Sequence, residues 1–165
     1  MDALTYDEVG ATRTGRLPPG YRHLRYRTSI GRVDLAAAGE AVLDWRLHRA
    51  AGVRIEASEP RAAEGVTVVS GLGLGPLRLH APCRVVWAVA DGSRAGFGYG
   101  TLPGHPARGE EAFLVERDDR GEVWFSVTAF SRPAGWLMAA AGPFGVAFQH
   151  LYARNLAAAL RRLTR

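Results

Sequence analysis

Two periods of hydrophobic placement divide the chain. Up to about Phe130 the apolar residues come in short runs, most of them alternating, which is strand spacing. From Phe144 onward they recur at Phe144, Phe148, Leu151, Tyr152, Leu156, Leu160 and Leu163, which is helical spacing over about five turns. The strand-like segments are "YRHLRYRTSIG" from Tyr21, "VRIEAS" from Val53, "GVTVVSGLGLG" from Gly65, "LRLHAPCRVVWAVA" from Leu77, "SRAGFGYGT" from Ser93, "EEAFLVER" from Glu110 and "EVWFSVTAF" from Glu122. One earlier stretch has helical spacing. Asp34 is placed to cap "LAAAGEAVLDWRLHRAA", whose stripe is Leu35, Ala38, Val42 and Trp45, and Gly52 stops it. Residues 1–20 read as irregular, ending in the turn "LPPG". A strand, a helix, a run of antiparallel strands and a long terminal helix argue for an α+β fold. The arrangement expected is a strongly curved antiparallel sheet wrapped around the C-terminal helix, with residues 1–165 as a single domain.

The hairpin can be indexed from its turn. "DDRG" at 118–121 places Gly121 in the left-handed position of a tight turn. Phe113 and Val115 share a face with Glu111, and Val123, Phe125, Val127 and Ala129 share one on the return strand, with Ser131 continuing it. This Phe113/Phe125 set reads as the inner face, although Trp124 and Phe130 blur the division. The turn pairs Glu111 with a residue between Thr128 and Phe130, bringing it near Ser131 and Arg132. The preceding strand alternates glycine with aromatics, Gly96-Phe97-Gly98-Tyr99-Gly100, and "GLGLG" at 71–75 repeats the habit. Bare strand faces imply sharp bending, close approach by another element, or room for a ligand.

Composition narrows the class. The chain has 165 residues, 47% hydrophobic and 22% charged, with one cysteine, Cys83. That is an ordinary globular make-up without an internal disulfide, and the N-terminus carries no signal-peptide pattern. The longest apolar stretch, "WLMAAAGPFGVAF", is too short to span a bilayer, so a cytoplasmic protein is expected. The formal charge is +5, carried by 21 basic residues that are all arginine. They are scattered among 16 acids, apart from Arg154, Arg161, Arg162 and Arg165, so nucleic acid is not the expected partner.

Signatures of known chemistry are missing. No CxxC, HExxH, phosphate loop or GxSxG elbow occurs, and the alternating glycines precede strand rather than helix, unlike a dinucleotide motif. His105 with Glu110 or Glu111 falls short of a metal ligand set. No cofactor and no metal is expected. What remains is a gathering at one end of the sheet: Tyr99, Thr101, His105, Glu111, Ser131 and Arg132, with Phe148, Gln149 and Tyr152 of the last helix closing over them. A carboxylate on an apolar face must be paired, hydrogen-bonded or neutral. Glu111 is therefore a buried ion pair with Arg132, a polar anchor in an apolar pocket, or a general acid/base.

The stretch "YGTLPGHPARGEEAF" from Tyr99, followed by "AFSRP" from Ala129, resembles an uncharacterised bacterial and plant family, domain of unknown function nineteen-ninety. "YDEVGAT" from Tyr6, "LPPGYRH" from Leu17, Trp45 and "GPFGVAFQHLYARNLAAAL" from Gly142 extend the similarity over nearly the whole chain, about Tyr6 to Leu163. The resemblance implies the helix-grip fold of the START and polyketide-cyclase-like superfamily, and it implies no activity. Three functions follow as expectations. The first is binding of a small apolar or amphipathic molecule between sheet and helix, in a closed cavity of roughly 300–1,000 Å³, with Phe113 and Phe125 as wall. The second is a cyclase- or hydratase-type enzyme using Glu111 or His105 as acid/base. The third is an interaction module whose basic C-terminal helix meets nucleic acid or an acidic partner.

Overall fold

A computed structural model describes residues 1–165 apart from Leu74 and Ala141 and the side chains of Leu137 and Pro143. Seven strands form one antiparallel sheet: β1 (Arg22–Gly31), β2 (Arg54–Ala57), β3 (Thr67–Leu72), β4 (Leu79–Ala90), β5 (Arg94–Thr101), β6 (Ala107–Arg117) and β7 (Val123–Pro133), in the order β1-β7-β6-β5-β4-β3-β2. Among the described residues five helices accompany it: α1 (Ala11–Thr14), α2 (Leu35–Leu43), α3 (Arg46–Ala50), α4 (Trp136–Ala140) and α5 (Gly142–Leu163). The fold is α+β, a curved open sheet gripping a C-terminal helix.

The local signals explain most of these elements. Asp34 caps α2, its carboxylate accepting from the Ala36 amide at 3.1 Å. Gly121 turns the β6–β7 hairpin at φ 81°, and the register that follows sets Glu111 opposite Ala129. Phe113, Val115, Phe125 and Val127 all face inward and are fully buried. Phe130 and Trp124, which blurred the alternation, belong to the outer face. Phe130 packs edge-on against Tyr6 and Tyr21, and Trp124 donates its indole N–H to Asp118 at 3.0 Å.

Two expected elements differ. The helix read as continuous from Leu35 breaks at Trp45, a non-glycine residue at φ 63°. That conformation is unfavourable for a bulky side chain. It is offset because the ring is completely buried, packs edge-on to Phe97 with centroids 5.0 Å apart, and donates to the Glu59 carbonyl at 3.2 Å. The strand expected to run to Gly75 ends at Leu72. Gly73 at φ 106° and Gly75 at φ 53° turn the chain into a short 3-10 turn at Gly75–Leu77; Leu74 lies outside the described residues.

The inner face of the sheet is filled in two different ways. At one end α2 lies so close that a Cβ on Gly39 would come within 2.6 Å of the Ala95 Cβ. There Trp45, Phe97, Phe113 and the imidazole of His48 pack together. The second half of α5 completes this core with Ala153, Leu156, Ala157, Ala159 and Leu160, all completely buried. The first half of α5 carries the same apolar stripe, yet Phe144 is 82% and Leu151 64% exposed. That half stands over the other end of the sheet, where the core stops and a cavity begins.

Candidate functional site

Glu110 and Glu111 are consecutive on β6, so their side chains leave on opposite faces. On the outer face Glu110 is 3% exposed and saturated. Its Oε2 accepts from the Tyr6 hydroxyl at 2.7 Å and the Gly10 amide at 2.8 Å, and its Oε1 from the Thr12 amide at 3.1 Å and from the Thr12 hydroxyl. Thr12 in turn accepts from the Trp87 indole at 2.9 Å. A β-bulge between Val85 and Trp87 puts that indole on the outer face.

This clamp accounts for the bare glycine face of β5. A Cβ on Gly98 would lie 2.2 Å from the Trp87 indole nitrogen, and one on Gly100 would lie 2.0 Å from the Tyr6 hydroxyl. At Gly100 the missing side chain makes room for Tyr6 and at Gly98 for Trp87 and Thr12, while Gly96 is closed on by Phe113 and Leu114 of β6. The segment read as irregular, "YDEVGAT", is the strap that supplies the donors.

On the inner face Glu111 has no such set. It lines a partly open cavity of about 190 Å³ and an adjoining chamber of about 100 Å³. Both also border Tyr99, His105, Ser131 and Gln149. The space is smaller and less enclosed than the closed cavity expected. Leu72 and Leu79 form one wall and Met138 and Phe148 the other, while Ser70, Tyr99, Tyr152 and Glu111 bring polar atoms to an otherwise apolar lining. Burial pushes the Glu111 carboxyl up to about 7, opposed by the Tyr99 hydroxyl beside it. Burial first raises the phenols of Tyr99 and Tyr152 well above their ordinary value, followed at Tyr99 by the neighbouring Tyr152 and then Glu111, and at Tyr152 by Glu111. Burial likewise holds the Cys83 thiol protonated. The Ser70 hydroxyl is buried with no hydrogen-bond partner.

His105 is also neutral, its imidazole lowered to about 4 by burial. Its Nδ1 accepts from the Ala107 amide at 2.9 Å, which leaves the ring proton on Nε2. Gln149 donates to the Ser131 hydroxyl at 3.2 Å and so ties α5 to β7.

The structure thus gathers Tyr99, His105, Glu111, Ser131, Arg132, Phe148, Gln149 and Tyr152 around one space. Thr101 borders only the smaller chamber, where its hydroxyl accepts from the Gly109 amide at 3.1 Å. Phe113 and Phe125 do not line the cavity. They share the face of Glu111 but lie farther along the hairpin, under α2 and the second half of α5, where the core is filled. Among the described residues Glu111 makes no ion pair with Arg132. Alternation sends Ser131 inward and Arg132 outward, where its guanidinium sits 4.8 Å from the Tyr21 ring centroid. Two arginines of the C-terminal cluster are engaged within the fold: Arg161 donates to the Thr28 hydroxyl and the Ser29 carbonyl, and Arg162 to the Ala50 carbonyl. Ser70 and Arg22 are site residues that the sequence reading missed. Ser70 continues the inward row of Val68 on β3 and Val66 just before it, a visible signal; Arg22 reaches the rim from β1 only because β1 pairs with β7.

The model of the family described as domain of unknown function DUF1990 matches residues 5–159. The chain belongs to this family. A UPF0548 protein of Deinococcus radiodurans is 38% identical over 179 residues, covering 97% of this chain and 87% of that protein. A UPF0548 protein of Arabidopsis thaliana is 45% identical over 60 residues, 36% of this chain and 29% of that protein. The fold recurs in proteins of distant sequence. A hypothetical protein from Helicobacter pylori superposes with a TM-score of 0.71 at 11% identity, over 100% of this chain and 98% of its own. Ara h 8.0201 gives a TM-score of 0.61 at 10% identity, over 86% and 96%. No helix among the described residues is long and apolar enough to cross a membrane.

Proposed function

We propose that this member of the family binds a small amphipathic molecule in the cavity between β3–β7 and the first half of α5. The observation that carries this reading is the Glu111 carboxyl, which faces open space on an apolar wall while the adjacent Glu110 is saturated. A buried carboxyl with the Tyr99 hydroxyl beside it but no set of donors like that on Glu110 costs free energy. A ligand that donates a hydrogen bond to Glu111 recovers that cost, and Tyr99, Tyr152 and Ser70 offer further contacts. The apolar body of the ligand lies against Leu72, Leu79 and Phe148. The fold shared with Ara h 8.0201 is compatible with this reading and names no ligand.

The test is to purify the protein without denaturation, unfold it, extract with organic solvent and weigh what is released. A stoichiometric small molecule that is absent from Glu111→Leu supports the reading. An extract that is empty, together with no displaceable binding of a fluorescent fatty-acid probe, overturns it.

A second reading uses the same carboxyl as a general acid/base. A titration point near 7 suits proton transfer at neutral pH, and neutral His105 presents an Nε2 donor from the same wall. Incubating the extracted molecule with protein then yields an isomer, or a product differing by one water, and Glu111→Gln abolishes it. An unchanged molecule overturns this reading while leaving simple binding intact.

A further inference from the structure

The rim of the cavity has a composition unlike the rest of the surface. Most of the large apolar side chains left exposed surround it. On the helical lip Trp136 is 78%, Phe144 82% and Leu151 64% exposed, and on the opposite lip, around the 3-10 turn, Leu77 is 87% exposed. Monomeric proteins seldom leave such side chains clustered without a use. Charge sets the rim apart as well. None of the 16 acidic residues falls within 65–90 or 123–165, the stretches that build both lips. Arg78 stands between the exposed Leu77 and Leu79, Arg22 and Arg132 border the cavity, and Arg154 borders the neighbouring groove beside Leu151. Among the described residues none of these four arginines pairs with a carboxylate. Glu111 lies inside the opening, and Glu8, held by the Tyr21 hydroxyl at 2.8 Å, lies within electrostatic reach of Arg132 on the outer face.

We infer that this rim docks on an anionic lipid bilayer, with Trp136, Phe144, Leu151 and Leu77 entering the interface and Arg22, Arg78 and Arg154 meeting lipid phosphates. Apolar side chains fringed by cations are the chemistry that holds a protein at such a surface, each contributing modestly and together sufficing. A second copy of the chain fits less well, because it would bring the same basic fringe against itself. Docked this way, the cavity opens onto the bilayer, and a poorly soluble ligand can pass between the two without crossing water. The docking itself rests on the outer rim and not on the occupancy of the cavity.

The experiment is sedimentation of the full chain with vesicles of phosphatidylcholine alone and of phosphatidylcholine containing phosphatidylglycerol. Binding is expected to the mixed vesicles, at least about tenfold tighter than to the neutral ones, and to fall as salt is raised. Phe144→Ser with Leu151→Ser lowers it about tenfold or more. Both side chains are exposed and neither lines the Glu111 cavity, so fold and ligand content should be retained. Arg154→Gln lowers it several-fold. Arg120→Gln, at the hairpin turn far from the rim, removes the same charge and leaves it unchanged. Absence of binding to mixed vesicles overturns the proposal, as does equal, salt-insensitive binding to both kinds. A lipid-free dimer that dissociates in the Phe144/Leu151 variant would show that a second copy covers the rim. Tight binding to soluble polyglutamate with none to vesicles would point to an acidic protein instead.

Discussion

Glu110 and Glu111 share a strand, a charge and nearly a position, and the fold treats them in opposite ways. Glu110 receives four hydrogen bonds from the N-terminal strap. Glu111 receives none of that kind and is held near neutral by burial. The difference lies in what each face of the sheet is given to cover it. The outer face at this end has bare glycines, so backbone and hydroxyls can close directly onto a carboxylate. The inner face has aromatic rings and an unfilled space, so its carboxylate is left for something else. One carboxylate is fixed by the strap, and the other borders an unfilled space.

Substitutions should separate these roles, and the largest effect is expected at Glu110. Glu110→Ala leaves two hydroxyl and two amide groups without their acceptor, and chemical denaturation should show a loss of roughly 3–5 kcal/mol. Limited proteolysis should then cut first within residues 1–16. Gly100→Ala attacks the same clamp sterically. Its Cβ must displace the Tyr6 ring, at an expected cost of roughly 2–3 kcal/mol. An unchanged denaturation midpoint in either variant would remove the structural half of the comparison.

Glu111 should behave otherwise. Its folded carboxyl titrates at about 7 against an ordinary 4.5. Its stabilising share is therefore complete below about pH 4.5 and lost as pH climbs through 7. The stability difference, Glu111→Gln minus wild type, should rise by roughly 1–3 kcal/mol between pH 4.5 and 7.5. A flat difference would mean that Glu111 is ionised and paired after all. His48 and His105 bias the wild-type curve the other way. Burial lowers both to about 4 from 6.5, so their contributions are present above pH 6.5 and lost as pH falls through 4. This is why the variant difference is the quantity to measure.

The smallest effect is expected from His48→Leu. The imidazole is fully buried with neither nitrogen hydrogen-bonded, 4.5 Å from the Phe113 ring centroid. At pH 7.5 an apolar replacement should shift stability by no more than about 1.5 kcal/mol. It should also flatten the acid limb of the curve.

The hairpin and the placing of Glu111 were legible in the sequence because period-two alternation and a glycine turn act locally. The glycine turn sets Glu111 opposite the span from Thr128 to Phe130, where the structure pairs it with Ala129, and alternation sets the inward row of Phe113, Val115 and Phe125. The break at Trp45 was not legible, since a left-handed tryptophan is tolerated only through tertiary contacts with Phe97 and Glu59. The same holds for the clamp on Glu110. Alternation indicates that the two carboxylates point apart, but nothing near residue 110 indicates that residues 6–12 will arrive to meet it. The ion pair of Glu111 with Arg132, one of three alternatives for that carboxylate, is absent among the described residues because Arg132 has the parity of Phe130 and leaves on the outer face. On α5 periodicity located the helix, but it could not say that the sheet would run out of core beneath the first half.

The strap also bears on how the protein is made. Tyr6 bonds to a residue 104 positions later, and β1 finds its partner only in β7. A nascent chain emerging at roughly 5–20 residues per second therefore carries its strap and its first strand unsatisfied for many seconds. Neither can settle until nearly the whole polypeptide has left the ribosome. Topologies dominated by such distant pairings fold slowly. Chaperone demand during synthesis should accordingly fall on the first thirty residues, Arg22 of the cavity rim among them.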